Sequence, residues 1–244
     1  MRIDLAKWGR ALCYPRPSEA ELQARLRQLQ ELGVEELVER GRAVIDGARV
    51  LGKGCVGIVI EAVVKGMRAV LKARRVDADR DSMEHEAKLL SLANQLGVGP
   101  RLLGYTKDFL AMELVEGGLL VEWLSEVSKP SEARSVLASL LTQCFKLDAA
   151  GLDHGELSRA GRHVIVSPSG PVIVDFESAS LTRRPRNLTA ITQYLVVRSG
   201  AWPKLAKLLG VEAGRVEVLE ALRQYKQSPG EAEFRKVLGA LGLA

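Results

Sequence analysis

Apolar positions recur at helical spacing early in the chain and then give way to runs of β-branched residues. Leu22, Leu26 and Leu29 share one face of a segment that opens on Ser18-x-x-Glu21, a capping box, so a helix is predicted up to Gly33. Residues 34–40, with Leu37 and Val38 turned inward, read as a second, shorter helix closed by Gly41. The stretch before them, 1–17, holds Trp8, Tyr14 and two prolines and reads as an irregular arm or short helix. After residues 43–51 and the glycines that follow them the period changes: Ile58-Val59-Ile60 and Val63-Val64 predict a strand, and Ala69-Val70-Leu71-Lys72 an adjacent apolar one. Helical spacing returns over 83–96, where Leu89, Leu92, Ala93 and Leu96 align before Gly97. Residues 101–105 and 109–115 read as two further strands, and Glu116-Gly117-Gly118 as a hinge.

Beyond the hinge the pattern is helical. Residues 119–127 and 131–150 predict helices, the second with Val136, Leu137, Leu140, Leu141 and Leu147 as its core face. One β-branched pair interrupts them. Val164-Ile165-Val166, the turn Ser167-Pro168-Ser169-Gly170 and Val172-Ile173-Val174 predict a tight hairpin whose far end carries Asp175 back beside Glu156. Residues 188–197, 205–209, 215–225 and 231–241 complete the chain as helices.

Composition narrows the function classes. With 47% hydrophobic and 27% charged residues the chain is typical of a globular protein, and 244 residues suffice for a sizeable core. No apolar run approaches the roughly 20 residues a bilayer requires, and the N-terminus lacks a signal-peptide pattern, so no membrane contact and a cytoplasmic location are expected. Cys13, Cys55 and Cys144 are odd in number and far apart, which argues against a disulfide framework or a zinc ribbon. His85, His154 and His163 are the only histidines, too few for a transition-metal cage. The net charge of +5 favours an acidic partner such as nucleic acid.

Gly52-Lys53-Gly54-Cys55-Val56-Gly57-Ile58-Val59 has the glycine spacing of a phosphate-binding turn. In a dinucleotide fold such a turn opens a helix; here a β-branched run follows. The stretch therefore reads as a hairpin whose backbone N–H groups cover phosphates, with Val59 beneath a base. A plain glycine-rich turn fits the same residues. Lys72, on an apolar strand, adds an ammonium within reach of phosphate oxygens. Glu86 is the candidate to pair with it and fix its direction, the other reading being an exposed acid favoured by the helix dipole. Glu156 and Asp175 then suggest a metal-bound nucleoside triphosphate, although two solvated acids flanking a hairpin fit as well.

In chain order, Gly52-x-Gly54-x-x-Gly57-x-Val59, Val70-Leu71-Lys72, Glu86, Met112-Glu113-Leu114, His154-Gly155-Glu156-Leu157 and Asp175-Phe176-Glu177 resemble the protein-kinase-like superfamily, over about residues 48–198. His154-Gly155-x-Leu157 is closer to the small atypical archaeal kinases of the RIO and KEOPS-complex type. With Ser158-Arg159 and Arg162-His163-Val164-Ile165-Val166, the stretch is most similar to an archaeal group formerly labelled predicted serine/threonine protein kinases. That group is associated with phosphorylating the ribose 2′-hydroxyl of a uridine in the tRNA variable loop.

The resemblance implies an α+β, two-lobed, protein-kinase-like fold. It would comprise an N-terminal helical extension (1–45), a small β-rich N-lobe (46–117) and a reduced helical C-lobe (118–244). It also implies ATP and magnesium (Mg2+) as cofactors. Gly52, Lys53, Gly54, Gly57 and Val59 would embrace the nucleotide. Lys72 would contact its phosphates, oriented by Glu86, and Met112, Glu113 and Leu114 would line the adenine. Asp175 would hold magnesium, and Glu156 would stand in place of the catalytic aspartate.

Several positions depart from the kinase pattern. Glu156 is one methylene longer than aspartate. Neither Asn94 nor Asn187, the only asparagines, is near the place of the loop asparagine that holds a second magnesium. His163 falls there instead, and imidazole suits magnesium poorly, so contact with phosphate or RNA is the other reading. Glu177 replaces a glycine and removes backbone freedom.

No long activation segment with an Ala-Pro-Glu-like anchor follows Glu177. The chain runs through Arg183, Arg184 and Arg186 into a helix, and these arginines, with Arg162 and His163, form a candidate phosphate-backbone clamp for RNA. The expected function is transfer of the γ-phosphoryl of ATP to a tRNA ribose 2′-hydroxyl, with tRNA as partner and no stable protein partner. A RIO-like or KEOPS-complex-like serine/threonine protein kinase and a catalytically weak nucleotide- and RNA-binding module are the alternatives.

Overall fold

The computed structural model describes residues 3–211 and 214–244. The chain separates into two compact units, one formed by the residues up to Ser91 with Pro100–Leu114, the other by Leu92–Gly99 and Val115–Ala244. Both mix helices with antiparallel strands. Among the described residues no helix is long and apolar enough to cross a membrane.

The first unit begins with α1 (Leu5–Leu12) and α2 (Glu19–Leu32), followed by strands β1 (Val34–Val38), β2 (Ala43–Ile45), β3 (Ala48–Val50), β4 (Gly52–Lys53), β5 (Gly57–Val64) and β6 (Met67–Arg74). After α3 (Glu84–Gln95), whose first residues belong to this unit, come β7 (Leu102–Tyr105) and β8 (Phe109–Glu113). The sheet runs β1-β5-β6-β8-β7, with β4 paired to β5 and β2-β3 as a separate hairpin. Every pairing is antiparallel. Lys65 and Gly66, at φ 49° and 76°, form the two-residue turn that joins β5 to β6 with matching twist.

Trp8, Leu12 and Leu29 share one buried cluster with Ile58, Ile60, Leu71 and Phe109, so α1 and α2 complete the core of this sheet. The contact is sealed by a polar group. Arg25, fully buried, donates to the carbonyls of Leu12 at 2.7 Å and Arg74 at 2.6 Å and to Glu21 at 2.7 Å. Its guanidinium also lies 3.4 Å from Asp108. Burial pushes the Asp108 carboxyl up, but Gln28, Arg25 and Arg74 around it outweigh this and hold it below its ordinary value.

Residues 34–40, expected as a short helix, form the edge strand β1 instead. Gly33, at φ 74°, closes α2 in the left-handed conformation and turns the chain away. Val34 and Leu37 are both buried, an i, i+3 spacing that resembles a helix turn. In a regular strand residues three apart face opposite sides. A bulge between Val34 and Glu36, opposite Val63 and Val64, adds one residue and returns both side chains to the core.

The second unit is built on α5 (Pro130–Ala149), with α4 (Leu120–Glu126) before it and α6 (Asn187–Gln193), α7 (Trp202–Leu209), α8 (Arg215–Gln227) and α9 (Glu231–Ala240) after it. A small antiparallel sheet of β9 (Gly118–Leu119), β10 (Val164–Ser167) and β11 (Gly170–Ile173) supports the loops that concern function. The expected hairpin is thus present in register, Val164 opposite Ile173. The helix expected over 188–197 is α6 followed by a π-helical turn, Tyr194–Arg198, in which Ser199 N–H donates to Tyr194 C=O at 2.8 Å.

Candidate active site

In the first unit the glycine-rich stretch is a hairpin within an antiparallel sheet, which excludes the strand-to-helix turn of a dinucleotide fold. Gly52 pairs with Val59 and Lys53 with Ile58, and Gly54 N–H closes the turn on Gly57 C=O at 2.8 Å. The three glycines differ in what requires them. A Cβ on Gly57 would meet Ala73 O at 3.0 Å and Lys72 Cγ at 3.2 Å, so the lysine stem passes close against this bare backbone and a side chain there would have to push it aside. Cβ atoms on Gly52 and Gly54 would meet nothing closer than ordinary contact distance.

Lys72 lies on β6 opposite Val59 and Leu110, and its Nζ is 3.0 Å from Glu86 Oε1 on α3. Both residues are buried, so each charge depends on its partner and the ammonium has a fixed direction. Met112 and Glu113 continue on β8, Met112 buried and Glu113 exposed, with Leu114 just beyond the strand. Lys53 has a role that spacing did not suggest. Its Nζ is 2.5 Å from the Tyr14 hydroxyl and 4.4 Å above the Tyr14 ring, while Arg75 donates to Gly54 C=O at 3.2 Å. Tyr14 and Arg75 thereby hold the tip of the turn.

In the second unit the segment before Glu156 is fixed from several sides. His154 is fully buried between two backbone groups: its Nε2 is 3.1 Å from Val174 C=O, and its Nδ1 accepts the Glu156 N–H at 3.4 Å. This selects the neutral ring protonated on Nε2. Gly155, at φ 88°, has room for no side chain, since a Cβ would lie 2.7 Å from both Arg183 Nη2 and Ser178 O. Asp153 and Ser180 exchange two backbone hydrogen bonds, 2.9 and 2.8 Å, which staple this segment to the residues after Glu177. The Glu156 carboxylate is 29% exposed and lies 3.9 Å from the Arg159 guanidinium.

Asp175 follows β11 with φ 71°, ahead of a 3-10 turn anchored by buried Phe176. Its carboxylate is 3.6 Å from His163 Nδ1, beyond a hydrogen bond, and the Asp175 and Glu177 carboxylates come within 4.8 Å of each other. Two carboxylates in one place suit magnesium, which prefers oxygen; His163 is their neighbour and a poor ligand for it. Glu177 was not among the expected ligands, because its position drew notice only as a lost glycine.

The expected arginine clamp divides into different tasks. Arg183 Nε is 2.8 Å from Asp153, a buried carboxylate that needs a counter-charge, and its Nη2 also donates to Ser178 C=O. Arg184 donates to Lys226 C=O at 2.5 Å in the last turn of α8. Arg186 is exposed, and its side chain has no partner among the described residues. Arg162 is exposed at the end of the 3-10 segment Leu157–Arg162. Asn187, absent from any expected site, proves central: it accepts the His154 N–H at 2.8 Å and donates to Asp148 at 2.8 Å and to Leu152 C=O at 2.7 Å.

His154 makes this unit sensitive to acid. Burial, opposed by the Val174 contact, lowers its pKa from 6.5 to about 4. The unfolded chain therefore takes up this proton first as pH falls. The stability is complete above about pH 6.5 and is lost progressively towards pH 4, about 3 kcal/mol in all. Urea midpoints measured across this range should fall more steeply for the wild type than for His154→Gln; parallel curves would contradict the assignment.

No protein-family model and no curated protein matches this chain.

Proposed function

We propose that this protein is an atypical kinase of the protein-kinase-like superfamily, transferring the γ-phosphoryl of ATP to a tRNA ribose 2′-hydroxyl. The observation that carries the reading is the buried Lys72–Glu86 pair at 3.0 Å beneath a glycine-rich antiparallel hairpin. A fixed ammonium under backbone N–H groups is what a triphosphate needs. Oxygen donors at Asp175 and Glu177 fit a magnesium ion, which when bound neutralises charge on the phosphates.

In the transfer step the acceptor oxygen bonds to the γ-phosphorus and its proton passes to the Glu156 carboxylate. The bond from phosphorus to the bridging oxygen breaks, and ADP leaves with that electron pair. Positioning supplies most of the acceleration. RNA is favoured as acceptor by the exposed Arg159 and Arg162, which follow Glu156 in the chain, and by the exposed Arg186. The short path from Glu177 to α6 supports the same choice, since it offers no long segment for docking an extended peptide.

Incubation with γ-labelled ATP, in parallel with total archaeal tRNA and with casein, tests this. Label in tRNA that resists a phosphatase acting on chain ends is expected. Label confined to casein would replace the reading with a serine/threonine protein kinase. Label in neither, with nucleotide still bound, would leave a binding module.

A further inference from the structure

Wholly within the second unit lies a pocket of about 210 Å³, bordered by Gly155 and Leu157, the residues on either side of Glu156 in the chain. Ser158, Arg186, Gln193 and Arg198 also line it. Its charge balance is positive. The Arg186 side chain has no partner among the described residues, and the Arg198 guanidinium makes one long contact, 3.4 Å to Ser158 C=O. Asp153 also borders the pocket, but Arg183 neutralises it at 2.8 Å.

Arg198 arrives there through the π-helical turn. Arg186, Thr189, Ala190 and Gln193 line the pocket at the 3-, 4- and 7-residue offsets of one helix face. At 3.6 residues per turn the next position on that face would be 197, an exposed valine. The i to i+5 winding of Tyr194–Arg198 delays the face by one residue, so a guanidinium occupies the place of an isopropyl group.

We infer that this pocket is a phosphate subsite for the acceptor strand, where Arg186 and Arg198 grip the backbone phosphate next to the nucleotide presented to Glu156. The inference rests on the RNA-kinase reading and adds a specificity determinant to it. Two guanidiniums converging on one polar recess provide the paired N–H donors that a phosphodiester accepts. Arg198 lies outside the arginine cluster visible in the sequence.

The test is binding of a fluorescein-labelled oligouridylate without ATP, followed by anisotropy over a salt series. Arg186→Ala and Arg198→Ala should each weaken binding about tenfold and flatten the salt dependence by about 0.7 in the log–log slope. The lysine variants should recover part of the loss, which separates charge from misfolding. Arg223→Ala, on α8 and paired with Glu220 at 3.0 Å, should bind as wild type. Pocket variants that lose no more than Arg223→Ala, or a wild-type chain that binds no oligouridylate, would overturn the subsite. Pocket-dependent binding without label transfer to tRNA would sink the kinase reading and leave the subsite standing. Transfer with an unchanged KM for RNA in the pocket variants would do the reverse.

Discussion

Glu156→Ala is expected to lower phosphoryl transfer by about 10²- to 10⁴-fold, the range for loss of a positioned proton acceptor, while nucleotide affinity stays near that of the wild type. The backbone that carries this carboxylate is held from three sides. Its own N–H is held by His154, Gly155 ahead of it admits no side chain, and the flanking Asp153 is pinned to Ser180. The separation of effects follows from the division of labour. Lys72, Glu86 and the glycine-rich turn belong to the first unit, and Glu156 belongs to the second. Single-turnover rates with γ-labelled ATP and titration with a fluorescent ATP analogue measure the two quantities. Turnover close to wild type would remove Glu156 from the proton-accepting role. Glu156→Asp tests the extra methylene: a carboxylate set back by one carbon should retain only part of the rate.

How far the sequence discloses such a site depends on whether a residue's task is local. β5, β6 and the hairpin of β10 and β11 were legible because continuous β-branched runs and turn residues carry their own signal. Helix α5 was legible for the same reason, from one apolar face along its length. β1 was misread because its bulge makes a strand imitate helical spacing, and the bulge exists only through pairing with β5. The arginines between Ser178 and α6 look equivalent in sequence. Only the fold commits Arg183 to buried Asp153 and Arg184 to α8, leaving Arg186 for a ligand. Nor does any local pattern announce the π-helical turn that exchanges Val197 for Arg198. The pairing of Lys72 with Glu86 stood out because two motifs, each ambiguous, constrained one another; the Asn187 network had no motif at all.

Asn187→Ala should therefore be among the most damaging changes in the second unit, although no catalytic motif contains it. The side chain is buried, and its amide joins α5, the segment before Glu156 and the start of α6. Alanine would leave the His154 N–H and the Leu152 C=O without partners in the interior, at about 1–3 kcal/mol each. Asp148 would also lose one of its donors. Burial already raises the pKa of that carboxyl against the pull of the Asn187 and Leu188 N–H groups and the Tyr225 hydroxyl, so a lost donor makes its ionised form costlier still. Together these effects come to about 3–5 kcal/mol, equivalent to roughly 10 °C in the melting temperature of a chain this size. Asn94→Ala, which removes the bond from a half-buried amide to Val98 C=O at 3.0 Å, should cost less. Because Asn187 acts on Glu156 only through the loop, kcat should fall well below the transition temperature while KM for ATP hardly changes. Equal melting temperatures for the two asparagine variants would show that the network does not brace this loop. A normal kcat in a destabilised Asn187→Ala protein would confine its role to folding.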